Sequence, residues 1–371
     1  MIRLSYQFVP YFITTACQSK AFFAPASPFR EKNVIIKRER PAPGRFFNQN
    51  PRKKDGLPLM ENLIVSASVV LPLFFMIALG YFVKRIRMVD DPSLQVMNNL
   101  TFRVFLPVLL FYNIYKTDVG TALNNTLMAF AAVSVTVSFF VLLLLIPRIE
   151  KANPRRGVLI QGIFRSNFII FGLPVTESLF GPGAAGTASL LIAVIIPLFN
   201  ALSVVALELF RGGKMNPKKI LKGIVTNPLI LASALGVLAM VTGFRFPAVL
   251  EEVVADVGGI ATPLALIILG ASFSFSAVKG HGKQLLLGLG GRLVLIPAIF
   301  LPIGIALGFR GPELAVLIAL FASPTAVSSF TMAQQMDGDA QLAGQLVVFG
   351  SLFSILTIFL WVFSFKQLGL L

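Results

Sequence analysis

Ser166-Asn167-Phe168-Ile169-Ile170-Phe171-Gly172-Leu173-Pro174 stands inside a long apolar segment that would otherwise run as one unbroken helix. It carries an amide and, seven residues later, the proline of a Gly-x-Pro. Proline removes a helical hydrogen bond and its ring clashes with the preceding turn. Within a bilayer such a break is tolerated only where the freed backbone groups face protein or a polar cavity. A second interruption, Ala322-Ser323-Pro324-Thr325-Ala326-Val327-Ser328-Ser329, lies near the other end of the chain. Two interrupted helices in matching positions of two halves are the sequence mark of a transport site.

Composition provides the membrane that this reading needs. The chain has 371 residues, 56% hydrophobic and 13% charged, with a mean hydropathy of +0.82. A soluble domain has about 25% charged residues. Apolar runs of about 20 residues recur along the chain, the length of a membrane-crossing helix. Barrel strands would alternate apolar and polar residues, and these runs do not. The fold class expected is an all-α polytopic membrane protein. The single cysteine, Cys17, excludes an internal disulfide and a cysteine-based metal site, so neither metal nor cofactor is expected. The single histidine, His281, sits in a short Lys/Gly-rich loop and reads as solvated.

The net charge is +16, and its distribution argues against nucleic acid as a partner. Residues 1–59 hold 11 Lys/Arg against Glu31, Glu39 and Asp55, so half the excess belongs to this stretch. It is rich in Arg, Lys, Pro, Phe and Asn without a sustained period, and disorder is expected there. Leu4–Ala16 reads as a weak signal h-region, short and interrupted by Ser5, Gln7 and Pro10, and targeting is the lesser expectation for it. Met60-Glu61-Asn62 leads directly into the first apolar run and reads as a natural start. The remaining basic residues fall mostly in short loops, which is a membrane-protein pattern.

Ten spans are expected, at roughly 63–83, 94–114, 124–147, 156–178, 184–210, 220–242, 255–275, 284–307, 312–335 and 340–365. One set of loops carries 14 Lys/Arg (Lys84 to Arg87, Arg148 to Arg156, Arg211 to Lys222, Lys279 and Lys283) and the other only Lys116, Arg245, Arg310 and Lys366. The first set is therefore expected in the cytoplasm, with both ends of the ten-span core outside the cytoplasmic (inner or plasma) membrane. Residues 60–211 and 222–371 form two stretches of five spans joined by a linker at 212–221. An odd number of spans per half makes the halves insert in opposite directions, as an inverted repeat. Pro107 in the second span and Pro263 in the seventh match, as do the interrupted fourth and ninth spans.

Asn167 is 11 residues into its span and Pro324 is 12 into its own. At about 1.5 Å per residue these depths are about 16 and 18 Å, near the middle of a core about 30 Å thick. The two breaks are thus expected to cross at the midplane. Each exposes a half-helix N-terminus whose free N–H groups favour an anion. The spans themselves offer almost no charge. Candidate binding residues are Ser166, Asn167, Pro174, Asn227, Pro324, Thr325, Ser328 and Ser329, with Asn113 nearby. Each has a plainer alternative: Ser and Thr bonding to their own helix, Asn167 joining two helices, Asn227-Pro228 capping a helix start. Glu177 carries a coupling proton or is interfacial. Arg165 attracts an anion or extends toward the headgroups. Gly304 and Gly308 suit tight helix packing, and a homodimer is compatible with the pattern. No residues are expected to be catalytic, and no phosphate-binding loop is present for ATP drive.

From Met60 onward the chain resembles the auxin efflux carrier family, which includes plant PIN carriers and bacterial malate-permease-like proteins. The plant carriers have Asn-x-x-x-x-Gly-x-Pro in the fourth helix, matched by Asn167, Gly172 and Pro174. Their Asn-Pro opening the sixth helix is matched by Asn227-Pro228, and their prolines in the second and ninth helices by Pro107 and Pro324. The resemblance implies a scaffold from helices 1, 2, 6 and 7 and a transport domain from 3–5 and 8–10. It also implies elevator-like export of organic acid anions past the crossed helices. Three departures stand out: Ser329 replaces a second proline of the plant ninth helix, Phe130–Leu145 lacks the charged pair of the plant third helix, and the central cytoplasmic loop is reduced to about 211–220. These point to a prokaryotic-type member and away from indole-acetate. A secondary transporter of small organic anions is the leading expectation. A sodium-coupled symporter of the bile-acid-carrier type and, remotely, an intramembrane enzyme are the alternatives.

Overall fold

The computed structural model describes residues 58–117, 125–180, 185–211 and 217–371. The basic extension, Cys17 and Leu4–Ala16 lie outside the described residues. In chain order the helices are α1 (Pro58–Arg85), α2 (Asp91–Leu100), α3 (Leu106–Tyr115), α4 (Asn125–Ile149), α5 (Asn153–Phe164), α6 (Phe168–Phe180), α7 (Ala185–Leu209), α8 (Pro217–Val225) and α9 (Pro228–Thr242). There follow α10 (Ala248–Gly259), α11 (Ala261–Ser272), the short α12 (Phe275–Val278), α13 (Gly282–Gly290), α14 (Ile296–Ala306), α15 (Gly311–Ala322), α16 (Ser328–Gln335) and α17 (Ala340–Gln367). Among the described residues no strand is formed, and six helical stretches are long and apolar enough to cross a membrane: Asp91–Tyr115, Asn125–Ile149, Leu191–Leu209, Ala248–Ser272, Gly282–Ala306 and Ala340–Gln367.

Two of these stretches contain a π-helical turn, Thr101–Phe105 between α2 and α3 and Gly291–Leu295 between α13 and α14. Each turn ends two residues before a proline, Pro107 or Pro297. Proline offers no N–H to the carbonyl four residues back, and the wider turn absorbs the ring without ending the helix. In the second case the freed Leu293 carbonyl accepts a bond from Trp361 Nε1 at 3.4 Å.

The seams between helices use glycine where backbones touch. Gly80 of α1 and Gly270 of α11 face one another's helix, so that a Cβ on either would strike the backbone carbonyl of Ile267 or Ile77. On α9, Gly236 lets α3 approach until a Cβ would lie 3.0 Å from the Phe111 carbonyl. Tyr115, fully buried at the end of α3, accepts the Phe246 N–H on its hydroxyl at 2.9 Å and bonds Glu251 at 3.2 Å.

Two half-helices are buried on every side and apolar throughout their buried stretches except at Gln161, as such a pattern requires. Gly157 to Phe164 of α5 and Leu314 to Ala322 of α15 are all buried. Several expected spans are more broken than anticipated. The sixth divides into α8 and α9 at Asn227, whose side chain caps α9 by accepting the Leu229 N–H at 2.9 Å, with Pro228 in the first turn. α8 begins inside the expected linker. In the fourth span the break is at Arg165–Asn167, and Pro174 lies within α6 rather than at the interruption.

One loop face is held by paired charges. Asp339 caps α17 by accepting the Leu342 N–H at 2.9 Å. Its other carboxylate oxygen takes Arg155 Nε at 3.1 Å and His281 Nε2 at 3.2 Å. His281 Nδ1 lies 3.0 Å from Gln345 Oε1. The expectation of a solvated loop histidine is therefore corrected: His281 is buried, held against Asp339 and Gln345 at the start of α17. Glu150 accepts the Ala152 N–H at 2.8 Å and Gln284 Nε2 at 2.7 Å, tying α13 to the same face.

Candidate functional site

α5 and α15 both end where the chain becomes extended, at Arg165–Asn167 and Ser323–Thr325. The extended pieces run antiparallel, Ser166 opposite Thr325. The Asn167 N–H donates to the Pro324 carbonyl at 2.8 Å, and Thr325 Oγ1 donates to the Gly162 carbonyl at 2.7 Å. Gln161 Nε2 adds a bond to the Ser329 carbonyl at 3.1 Å. The breaks therefore satisfy much of their freed backbone from one another, the condition for irregular backbone at membrane depth.

Beside this crossing is a cavity of about 110 Å³. Phe168, Ile169 and Ile170 of the first turn of α6 line it, as do Ala326, Val327 and Ser328 at the start of α16. The opposite wall is apolar, with Leu106, Leu109 and Leu110 of α3. Arg165 reaches into it although only 4% exposed. Its Nη2 donates to Asn200 Oδ1 at 2.7 Å and Ser328 Oγ at 2.8 Å, and Nη1 faces Met332 Sδ. Among the described residues no carboxylate pairs with this guanidinium. Among the described residues four further lining groups are buried without a hydrogen-bond partner: Asn113 Nδ2, Asn167 Nδ2, Asn200 Nδ2 and Ser166 Oγ. Three of the four can only donate, and the hydroxyl can.

The predicted residues divide accordingly. Arg165, Ser166, Asn167, Ser328 and Asn113 meet at this cavity. Thr325 and Pro324 do not line it, their polar atoms being used within the crossing. Ser329 is buried beside the crossing, its hydroxyl unpartnered. Glu177 is exposed on α6 and is not a lining residue. Asn227 lines a separate cavity of about 470 Å³ with Arg103, Glu208 and Arg211.

Two important groups were not anticipated. Asn200 is a lone amide in the apolar run of α7, three residues after Pro197. Arg292, in the second π-turn, is 1% exposed and donates to five carbonyls: Ser323 at 2.7 Å, Ile163 and Phe164 at 3.1 Å each, Leu320 at 2.7 Å and Phe321 at 2.8 Å. The expectation that the spans hold almost no charge is thus corrected. A buried guanidinium survives where carbonyl groups surround it or where a ligand supplies the counter-charge.

Residues 65–362 match the family model described as "Membrane transport protein". An "Uncharacterized transporter" of Methanothermobacter thermautotrophicus is 24% identical over 297 residues, covering 80% of this chain and 97% of the relative. A protein named "Putative malonate transporter", from Rhizobium meliloti, is 26% identical over 308 residues, covering 78% and 92%. The "Uncharacterized transporter YfdV" of Escherichia coli K12 is 24% identical over 315 residues, covering 79% and 96%. Helices of membrane-crossing length and a match over most of the chain agree: this protein belongs to the membrane transport protein family, that of the auxin efflux carriers, and is a helical multi-pass membrane protein.

Proposed function

We propose that this chain is a secondary active transporter that moves small organic acid anions across the cytoplasmic membrane by alternating access. The observation that carries the reading is Arg165, a buried guanidinium with no carboxylate partner among the described residues, facing a cavity edged by unpartnered donors. Two half-helix N-termini border the same space, and each adds about half a positive charge. Such a site is complementary to a carboxylate. The name of the Rhizobium relative makes malonate the first substrate to try.

A ten-span inverted repeat is part of this reading. The six long apolar stretches become ten spans when α1, α5–α6, α8–α9 and α15–α16 are each counted as one. α1 packs along α11 while α9 packs along α3, so the first span of each half lies on the second span of the other. In this reading α1–α3 and α8–α11 are the scaffold, and the crossing with its flanking helices moves against the α3 wall. The basic loops, which share a face with Asp337 and Asp339, face the cytoplasm.

The test is uptake of labelled malonate, lactate, pyruvate and indole-acetate into proteoliposomes, with and without pH or sodium gradients, by wild type, Arg165→Gln and Asn167→Ala. Saturable flux of an organic acid, lost in Arg165→Gln, is expected. Flux that survives both substitutions would move the site elsewhere. Flux that requires sodium would favour the symporter alternative, and no flux in folded protein would overturn the reading.

A further inference from the structure

We propose that Arg292 is the positioning residue of the crossing: it clasps the C-terminal ends of α5 and α15 together and thereby sets the affinity of the anion cavity without touching the ligand. This rests on the anion-site reading above. A guanidinium has five N–H groups in a planar fork, and here each of five carbonyl acceptors receives one bond within 3.1 Å. Those carbonyls belong to the last turns of the two half-helices and to the residue beside them, the groups that a helix end leaves without partners. They also carry the negative ends of two helix dipoles. Arg292 is not among the cavity-lining residues.

The arrangement divides the crossing by charge. Both C-terminal ends are neutralised by a cation built into the chain. Both N-terminal ends, with Arg165 between them, are left uncompensated. The crossing is therefore polarised toward accepting an anion, and Arg292 maintains the polarity. Its reach depends on close packing: a Cβ on the adjacent Gly291 would lie 3.0 Å from Ile163 Cγ2. Lysine can substitute only in part, because an ammonium keeps the charge but presents three donors at one point and cannot span five carbonyls on two helices.

Two measurements on the full chain test this. The first is hydrogen–deuterium exchange in detergent, which does not depend on transport. In Arg292→Gln, amides near 163–168 and 320–329 should exchange faster, including Asn167, while α1, α9 and α11 stay protected. The second is the KM of labelled malonate uptake. It should rise by about tenfold to a hundredfold in Arg292→Gln, the scale on which supporting groups act on a site, with a smaller rise in Arg292→Lys. Arg310→Gln, at an exposed loop arginine, should keep the wild-type KM. Faster exchange everywhere with an unchanged KM would reduce Arg292 to a general stabiliser and overturn the proposal. Unchanged exchange at the crossing would overturn it as well. If Arg292→Gln does not fold, Arg292→Lys decides by the same two readings. Altered exchange in a protein that moves no organic acid would leave the clasp standing and remove the anion transport reading.

Discussion

Two polar regions of this molecule use arginine in opposite ways. On the loop face Arg155 meets Asp339, and the same carboxylate takes His281 and caps α17. At the crossing, among the described residues, Arg165 meets only an amide, a hydroxyl and a thioether, and its neighbours keep unpartnered donors. Closed pairing is what stability requires, since a buried charge left alone is costly. Under the proposed function the counter-anion of Arg165 is the transported substrate, which comes and goes.

Substitutions should separate the regions by size and kind of effect. The largest effect is expected from Arg165→Gln. Truncating one partner of a buried charged contact costs about 2–5 kcal/mol, which is roughly thirtyfold to several thousandfold in affinity. Uptake kinetics check this, and near-normal KM would break the comparison. Asn200→Ala should follow, with about 1–3 kcal/mol lost as a cavity donor and the acceptor of Arg165 disappear together, read in malonate KM.

On the loop face the signs reverse. Asp339→Ala removes the cap of α17 and should cost about 1–2 kcal/mol of stability, lowering the melting temperature while leaving KM in place. A changed KM with unchanged melting would erase the distinction between the regions.

The smallest effect is that of Glu150. Burial raises its carboxyl pKa, but the bonds from Gln284 and the Ala152 N–H outweigh this and hold it below the ordinary 4.5. A depressed carboxylate stabilises the fold above its unfolded value, and that contribution disappears as pH falls through the folded value. Glu150→Gln should therefore melt below wild type near neutrality, the gap closing as pH falls below 4.5. A gap independent of pH would contradict this.

The same contrast explains what the sequence could reveal. Interruptions of apolar runs are local, so both breaks and the cap at Asn227 were legible from Pro324, Asn167 and Asn227-Pro228. The fourth break falls at Asn167, where its depth was reckoned, while Pro174, quoted in the same stretch, lies within α6. Loop charges exposed the membrane pattern, yet His281 was misread because its partners Asp339 and Gln345 come from 58 and 64 residues away. Arg292 gave a local signal, a lone cation in an apolar run behind Gly290-Gly291. Its role was hidden because its acceptors are backbone atoms about 30 residues away on α15 and almost 130 away on α5.

The paired glycines of α1 and α11 have a consequence of their own. At Gly80 and Gly270 the two backbones are in direct contact, a Cβ there striking the opposing carbonyl oxygen, which leaves no gap at that point. That seam is a gasket. Gly270→Val should pry it open, and liposomes carrying the variant should dissipate an imposed proton gradient faster than those carrying wild type, even with no organic acid present.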